Sequence, residues 1–494
     1  MEENSKIKNW KVLLISLIVS FLFLMICSNN SFLYAFNDNQ DINWYITMGN
    51  GLLEGKIPYK DLFEHKGPIV YFVFSLFCLF SNPYRVAFIL EVICSTLFLF
   101  FSYKLIRKFT NEKNALLGIV ITSFLTLTSH FFVVGGGAVE EYCLPILVYM
   151  LFCLFEFVHE KKLFSKTRSF IWGILIGIVL LIKYTLLALP ALIYFYMLFV
   201  LIKEKKYKEL INMTLLFVVG VLVVCIPIVI YFVVNGAFRD FFMTYFYNNL
   251  VRYTGKVNLI NNIFLVCIYG FFAFGSMVMG TFLHRKYYAS KEYKNFYWIL
   301  FVLYFLVLLI TGNFNYYFLP LSVFIPLGIG LSIDVISKKY PKLCNRYIYS
   351  SFFVVLLILS LVFGNGTLEL DDKKSDYIHY QIAEDINSIN SENPTLFCYK
   401  LWDYGFYNVV GVVPNVKFYA NSLFSEEKYP EMYEGFRSYI EEAKTEFIIM
   451  EKAVYEKEIE FVSPHYDYYK TYSYLYYKDN LRSFNMVVVL LIRK

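Results

Sequence analysis

The sequence predicts a polytopic α-helical membrane protein with about eleven spans, followed by a small exported C-terminal α/β domain. Three observations carry this reading. The 494-residue chain is 58% apolar, 20% aromatic and only 17% charged, with a mean hydropathy of +0.53; ordinary soluble domains carry about 25% charged residues. Clusters of lysine and arginine recur in every second interruption of the apolar runs. After Phe363 the long apolar runs stop, and short strand-like runs alternate with polar helix-like stretches. The net charge of +6 is modest; its distribution is what informs.

Lys6 to Lys11 precede the apolar run Val12 to Ile26. No small-residue cleavage site follows, and Ile26 is too bulky for lipoprotein-type processing at Cys27, so this is an uncleaved first span. A window of about 20 residues places spans near 11–34, 84–106, 114–132, 140–158, 169–184, 186–202, 211–234, 259–283, 295–311, 316–335 and 347–364. The pair across 169–202 is nearly continuous around Lys183 and Pro190. Basic groups such as Lys104, Arg107, Lys108 and Lys113, then Lys161, Lys162, Lys166 and Arg168, then Lys203 to Lys208, Arg285 to Lys294, and Lys338 to Arg346 fall in alternate loops. The positive-inside rule puts these loops and the N-terminus in the cytoplasm of a multi-pass cell-membrane protein. The loops 35–83, 133–139 and 235–258, the turns at Lys183 and Gly312, and everything after 365 then lie outside.

Residues 69–81 are apolar but too short to cross, and Asn82-Pro83 ends them. An interfacial helix within the loop 35–83 is the expected form; half of a broken span would spoil the charge alternation downstream. Residues 1–364 therefore form the transmembrane domain and 365–494 the exported one. Within the latter, 377–390 and 430–443 read as helices, and Thr395–Tyr399, Phe447–Met450, Thr471–Tyr477 and Asn485–Ile492 as strands. The nine cysteines lie mostly in apolar runs, with Cys344 in a basic loop and Cys398 alone in the C-terminal part, so no disulfide framework is implied.

The longest charged interruption of the apolar part is Asp41 to Pro68. On a membrane scaffold the spans offer few polar groups, so chemistry falls to such loops. Outward-facing carboxylates are Asp38, Asp41, Asp61, Glu64, Glu140 and Glu141. Asp41, Glu140 and Glu141 sit at span ends where two outside loops could converge, although acids in a first helical turn are also favoured by the helix dipole. Gly135–Gly137 before them is a weak phosphate-loop signal. Lys60, His65 and Lys66 supply positive charge, Lys66 before Gly-Pro at headgroup depth, where it meets a phosphate or snorkels to ordinary lipid. Arg239, Arg252, Lys256 and Lys183 are basic residues on the outside, candidates for an anionic substrate. Tyr316-Tyr317 at an outer span end lines a sugar pocket or belongs to an aromatic interface belt; Trp402, Tyr404 and Tyr407 are further candidate sugar contacts. Metal-ligand spacing, a P-loop and G-x-S-x-G are absent from the sequence, so ATP-driven and serine-hydrolase chemistry have no support.

The segment Gly55-Lys-Ile-Pro-Tyr-Lys-Asp-Leu-Phe-Glu-His-Lys-Gly-Pro68, with Asp41 in Asp-Ile-Asn-Trp-Tyr before it, resembles bacterial GT-C class membrane glycosyltransferases. The relatives meant are those of protein O-mannosyltransferases and of the lipid A aminoarabinose transferase. Gly135-Gly-Gly-Ala-Val-Glu-Glu-Tyr142 resembles their second acidic loop, and Asn313-Phe-Asn-Tyr-Tyr-Phe-Leu-Pro320 the tyrosine-rich start of a late span. The chain departs from the pattern where Ile42 follows Asp41 in place of a second acid, where Lys66-Gly67-Pro68 stands for Lys-Pro-Pro, and where Asn315-Tyr316 stands for His-Tyr. The resemblance implies a GT-C-like fold and transfer of a sugar from a polyprenyl-phosphate donor to an acceptor hydroxyl on the outer face, with inversion. The acceptor is a lipid, a polysaccharide or a protein; nucleic acid is not a partner, no cofactor is certain, and a divalent cation is compatible. Asp41 would be the base, helped by Glu140 or Glu141, and Lys66 with His65 or Arg252 would hold the phosphate. Tyr59, Lys60, Asp61, Tyr316 and Tyr317 complete the expected substrate contacts. A flippase would show charges lining a path inside the spans, which here hold little beyond Glu91 and Glu156; a polymerase would rely on a large late loop with arginines; a non-catalytic scaffold would dock through the C-terminal part.

Overall fold

The computed structural model describes residues 7–128, 135–252, 270–287, 292–311, 315–343, 345–364, 366–479 and 482–494, with isolated positions between 260 and 267. Lys6, Lys256, Lys291, Gly312, Asn313 and Cys344, and parts of the expected spans 114–132 and 259–283 and of the loop 133–139, lie outside them. Contacts divide the chain into two units. One comprises Met1–Ser31, Phe88–Ile226 and Val257–Thr367; the other comprises Phe32–Ala87, Pro227–Lys256 and Leu368–Lys494.

The first unit is helical. It contains α1 (Asn9–Cys27), most of α4 (Pro83–Ile106), α5 (Glu112–Leu127), α6 (Val139–His159), α7 (Lys166–Lys183), α8 (Ala188–Lys203) and the larger part of α9 (Tyr207–Val234), followed by helices Phe271–Tyr287, Glu292–Thr311, Ile325–Lys339 and Arg346–Phe363. Local sequence sets the starts: Asn111, Ser165 and Asn345 each accept a backbone N–H of the first turn that follows. Among the described residues six helical stretches are long and apolar enough to cross a membrane, and four apolar helices are shorter. The chain is thus a multi-pass membrane protein, and the expected count of about eleven spans is not confirmed. The expected pair across 169–202 is one run, Lys166–Lys203, of 38 residues, interrupted by a 3₁₀ turn at Tyr184–Leu187. Lys183 itself is extended, with φ −158° and ψ 97°, so the two halves are separate helices.

Tyr316–Lys339 and α6 are the most buried of the six stretches, at 94% and 78%, against 11% for α9. Phe98, Leu147, Leu151, Ile193 and Phe324 belong to the continuous core of the unit. α7 and α9 cross closely enough that a Cβ on Gly173 would stand 2.0 Å from the Phe217 carbonyl oxygen, a contact only glycine permits.

The second unit holds the loop that follows α1. Besides the helix expected near 69–81, it holds one that was not anticipated: Gln40–Leu53 forms α2. Asn39 caps it by accepting the Asp41 N–H at 2.9 Å, and Asp41 lies in its first turn, where the helix dipole favours a carboxylate. A second helix, α3 (Pro68–Phe77), begins on Pro68 directly after Gly67, with the proline at the position where its missing N–H is harmless. The C-terminal part builds a four-stranded sheet in the order β1-β2-β4-β3 from β1 (Leu396–Cys398), β2 (Phe447–Glu451), β3 (Tyr466–Asp479) and β4 (Arg482–Arg493). β1 and β2 run parallel, and β4 is antiparallel to both of its neighbours. Helices Ile378–Ile389 and Pro430–Glu441 match the stretches expected from polar periodicity, and all four strands lie where the β-rich runs are; the helix Lys452–Val462 was not anticipated.

Candidate active site

The loop 57–68 is organised around the backbone of Lys66. Its carbonyl accepts the hydroxyls of Tyr59 at 2.7 Å and Tyr71 at 3.1 Å, and its N–H donates to Glu64 Oε2 at 2.8 Å. Tyr71 also donates to that carboxylate oxygen, and Asn249 Nδ2 donates to the His65 carbonyl at 2.8 Å. Both sides of Lys66 are therefore fixed before its side chain is considered. The ammonium lies 3.1 Å from Asp41 Oδ1 and over the faces of Trp44 and Tyr45, 5.8 and 5.6 Å from the ring centres. Both residues of the pair are buried. A buried ion pair is retained only with good geometry and further hydrogen bonds, and the aromatic faces favour the cation in addition.

Glu64 sits under this pair, 3.1 Å from His65 Nδ1. Burial pushes its carboxyl up, and Asp41 adds to this while Lys66 and the Tyr71 hydroxyl oppose it. His65 packs edge-on against Trp44 and Phe424. The other loop candidates serve the turn. Asp61 Oδ2 accepts the Ile57 N–H at 2.8 Å, and Lys60 Nζ reaches the Asn235 carbonyl at 3.0 Å. Tyr59 is fully buried, in the left-handed region at φ 69°. Arg252 lies in a π-helical stretch, Phe242–Arg252, over the Tyr429 ring at 4.9 Å and 3.4 Å from Glu431. Arg239 is exposed, beside Asp240, which pairs with Lys417 at 3.3 Å.

C-terminal residues close around the same loop. The Phe63 N–H donates to the Lys417 carbonyl at 2.9 Å, Phe63 packs on Phe418, and Trp402 tilts against Trp44 at 5.3 Å. Thr47 of α2 donates to Asp403 Oδ2 at 2.7 Å, and the Gly405 N–H to Oδ1 at 2.9 Å. Burial nevertheless raises the Asp403 carboxyl to about 6, with those hydrogen bonds opposing. Asp38 is raised to about 7, again by burial first, against the Tyr474 hydroxyl and with Asp372 adding to the shift. Each group holds its proton more tightly folded than unfolded, so the cost of ionising it is greatest above the raised value and is relieved progressively as pH falls from there toward the ordinary carboxyl range near about 4. The protein is expected to melt at a higher temperature as pH falls from 8 toward 5, with each carboxyl contributing on the order of 2 kcal/mol. Asp38→Asn should flatten that slope between about pH 5 and about pH 7; an unchanged slope in thermal melts would refute the assignment.

Glu140 and Glu141 belong to the helical unit, in the first turn of α6. Glu140 is fully buried and ion-paired with Lys183, whose ammonium stands over the ring of Tyr317 at 3.6 Å and near Tyr316 at 5.5 Å. Four of the expected residues thus meet in one cluster. Glu141 is buried next to it. Gly135, Gly136 and Gly137 all have positive φ, at 76°, 87° and 91°. This lets the turn fold over Glu91, which accepts the Ser28 hydroxyl at 2.6 Å and Asn30 Nδ2 at 2.7 Å. Among the described residues no three His, Cys, Asp or Glu side chains are grouped as cation ligands.

Sequence reasoning missed Tyr71, Asn249, Asp403, Ser28 and Asn30. Tyr71 follows the loop directly, in α3, but sits in a run that reads as apolar; Asn249 and Asp403 are separated from the loop by intervening chain and carry no motif. Ser28 and Asn30 fall in Ser-Asn-Asn-Ser directly after the first apolar run, and that polar stretch was a usable signal.

This is the fold of the GT-C class of membrane glycosyltransferases. Residues 65–231 match the family described as dolichyl-phosphate-mannose-protein mannosyltransferase. Over the whole length, the chain superimposes on ArnT from Cupriavidus metallidurans bound to undecaprenyl phosphate, with a TM-score of 0.60, 13% identity and 97% of each chain covered. The apo form of the same protein gives 0.57 at 14% identity, again with 97% of each chain covered. An oligosaccharyltransferase from Archaeoglobus fulgidus aligns at 0.45 and 13% identity, over 94% of this chain and 73% of that one, too distant to carry an argument. No curated protein matches the chain by sequence.

Proposed function

We propose that the protein transfers a sugar from a polyprenyl-phosphate donor to an acceptor hydroxyl on the extracytoplasmic face of the cell membrane, with inversion at the sugar carbon. The observation that carries the reading is the buried Asp41–Lys66 pair, which sets a base and a phosphate-binding cation 3.1 Å apart. The ArnT structure with undecaprenyl phosphate supports the choice of donor. Phosphate is already a good leaving group, so the reaction needs a base and fixed positive charge rather than an acid. Asp41 takes the proton from the acceptor hydroxyl as its oxygen bonds to the sugar carbon. The bond from that carbon to the phosphate oxygen breaks, and the departing phosphate meets the Lys66 ammonium. A lysine ammonium has three donors, so it can keep Asp41 and engage a phosphate oxygen together. Tyr59, Tyr71, Glu64 and Asn249 position Lys66 and His65. Arg252 is assigned as a further substrate contact.

The basic loops after α4 and α6 gather at the end of α6 away from Glu140, where Lys108, Lys162 and Arg168 surround Glu156. This supports a cytoplasmic N-terminus and an exported C-terminal part. The test is purified protein in lipid nanodiscs with a panel of polyprenyl-phosphate sugars, following transfer or donor hydrolysis and the anomeric configuration of the product. One sugar class turned over with inversion is expected. Retention would overturn the single displacement; failure to turn over any donor, with lipid-linked glycan transported in liposomes, would make the protein a flippase.

A further inference from the structure

At the basic end of the helical unit, where α6 and α8 terminate, lies a cavity of about 360 Å³. Its walls are apolar and aromatic, including Phe157, Tyr196 and Phe199, and its polar lining is Lys161, Lys203, Lys206 and Glu204. Charge accounting separates these lysines from their neighbours. Lys108, Lys162 and Arg168 are satisfied by Glu156 and Glu160, and Lys206 holds Glu204 at 2.6 Å. Lys161 and Lys203 have no carboxylate within ion-pair distance among the described residues. Phe199, 60% exposed, extends the apolar wall outward.

The two helices end alike. Each runs past its cap into a lysine in the left-handed region, Lys161 at φ 54° and Lys205 at φ 58°. Glycine is the residue that takes this conformation without strain. At Lys161 the chain keeps a side chain there, and that side chain lines the cavity; the side chain of Lys205 does not.

We propose that this cavity binds an anionic glycerophospholipid of the leaflet on the basic-loop side, its phosphodiester between Lys161 and Lys203 and an acyl chain along Phe199. An apolar wall with cations that no carboxylate holds in a direct ion pair, Lys161 being attracted to Glu204 only at longer range, is complementary at headgroup depth to that class of lipid. The site is separate from the donor chemistry and does not rest on it.

The test uses the full chain in detergent titrated with phosphatidylglycerol or phosphatidylcholine, reading the midpoint of thermal stabilisation and lipid retention by native mass spectrometry. Saturable stabilisation by phosphatidylglycerol alone is expected. Lys161→Gly and Lys203→Gln should each raise the midpoint about fivefold, Lys161→Gly without lowering the melting temperature in phosphatidylcholine, because glycine relieves the backbone. Lys205→Gly, which removes the same charge and the same strain beside the cavity, should leave the midpoint within about twofold. Equal shifts in all three variants would reduce the effect to diffuse attraction and overturn the site. So would unchanged midpoints in Lys161→Gly and Lys203→Gln, or tighter binding of polyprenyl phosphate through the same two lysines.

Discussion

Asp41→Asn is expected to lower turnover by about 10²- to 10⁴-fold, the range for loss of a positioned base, while donor binding persists. The substitution keeps the shape of the side chain and the Asn39 cap, which uses the backbone N–H of Asp41. It also strips Lys66 of its carboxylate inside the protein, and breaking one side of a buried pair costs about 3–5 kcal/mol. Lost activity could therefore reflect lost structure. The double variant Asp41→Asn/Lys66→Met separates the two effects, since it removes both charges of the pair, while burial already favours the protonated form of Glu64, the other carboxyl that Lys66 attracts. It should recover the melting temperature lost in Asp41→Asn and recover none of the turnover. Turnover in Asp41→Asn within about threefold of the parent protein would remove Asp41 from the chemistry, and turnover restored in the double variant would assign it to stability.

The second large effect is expected on stability. At Gly136, φ is 87°, and an added Cβ would lie 2.4 Å from Ser28 Oγ, 2.8 Å from Glu91 Oε1 and 3.1 Å from Asn30 Nδ2. Gly136→Ala therefore combines backbone strain with displacement of both donors to a buried carboxylate. A loss of about 3–5 kcal/mol follows from the sum of these effects. Gly411→Ala is the control: its φ is 81°, and nothing lies within 4 Å of an added Cβ. That variant should lose about 1 kcal/mol. Thermal melts of the two proteins side by side isolate the packing contribution; melting temperatures within a degree or two of each other would show that the Glu91 pocket contributes little.

The strands and amphipathic helices of the C-terminal part were legible in the sequence because their periodicity is local. Phe447–Met450 and Asn485–Ile492 read as strands from β-branched and aromatic runs alone, and they pair as neighbours in the sheet. α2 was missed, although Asn39 and Asp41 carry the signals of a capped first turn; its apolar residues are interspersed with Asn43, Thr47 and Asn50 and look like loop. In the candidate site, the charges were visible but their partners were not. Lys66 and Asp41 stand 25 positions apart, and nothing in the spacing says that they meet. Glu140 and Lys183 were named separately as an outer acid and an outer base; only the approach of two helix ends makes them a pair. Lys60 and Asp61 illustrate the reverse. Their charge drew attention, yet what they bind is the backbone of turns.

The loop around Lys66 also has a history within the life of each molecule. Besides its nearby partners Tyr59 and Tyr71, this loop and the neighbouring α2 take hydrogen-bond partners from late in the chain: Lys417 for Phe63, and Asp403 for Thr47 across 356 positions. During synthesis from the N-terminus, the loop must wait until nearly the whole polypeptide has been made before those partners exist. Until then its tryptophan, tyrosines and phenylalanines have no C-terminal cover. The order of translation therefore makes assembly of this unit one of the last events in the making of the protein, and a chain stopped at Phe363 would display the loop without the residues that close it.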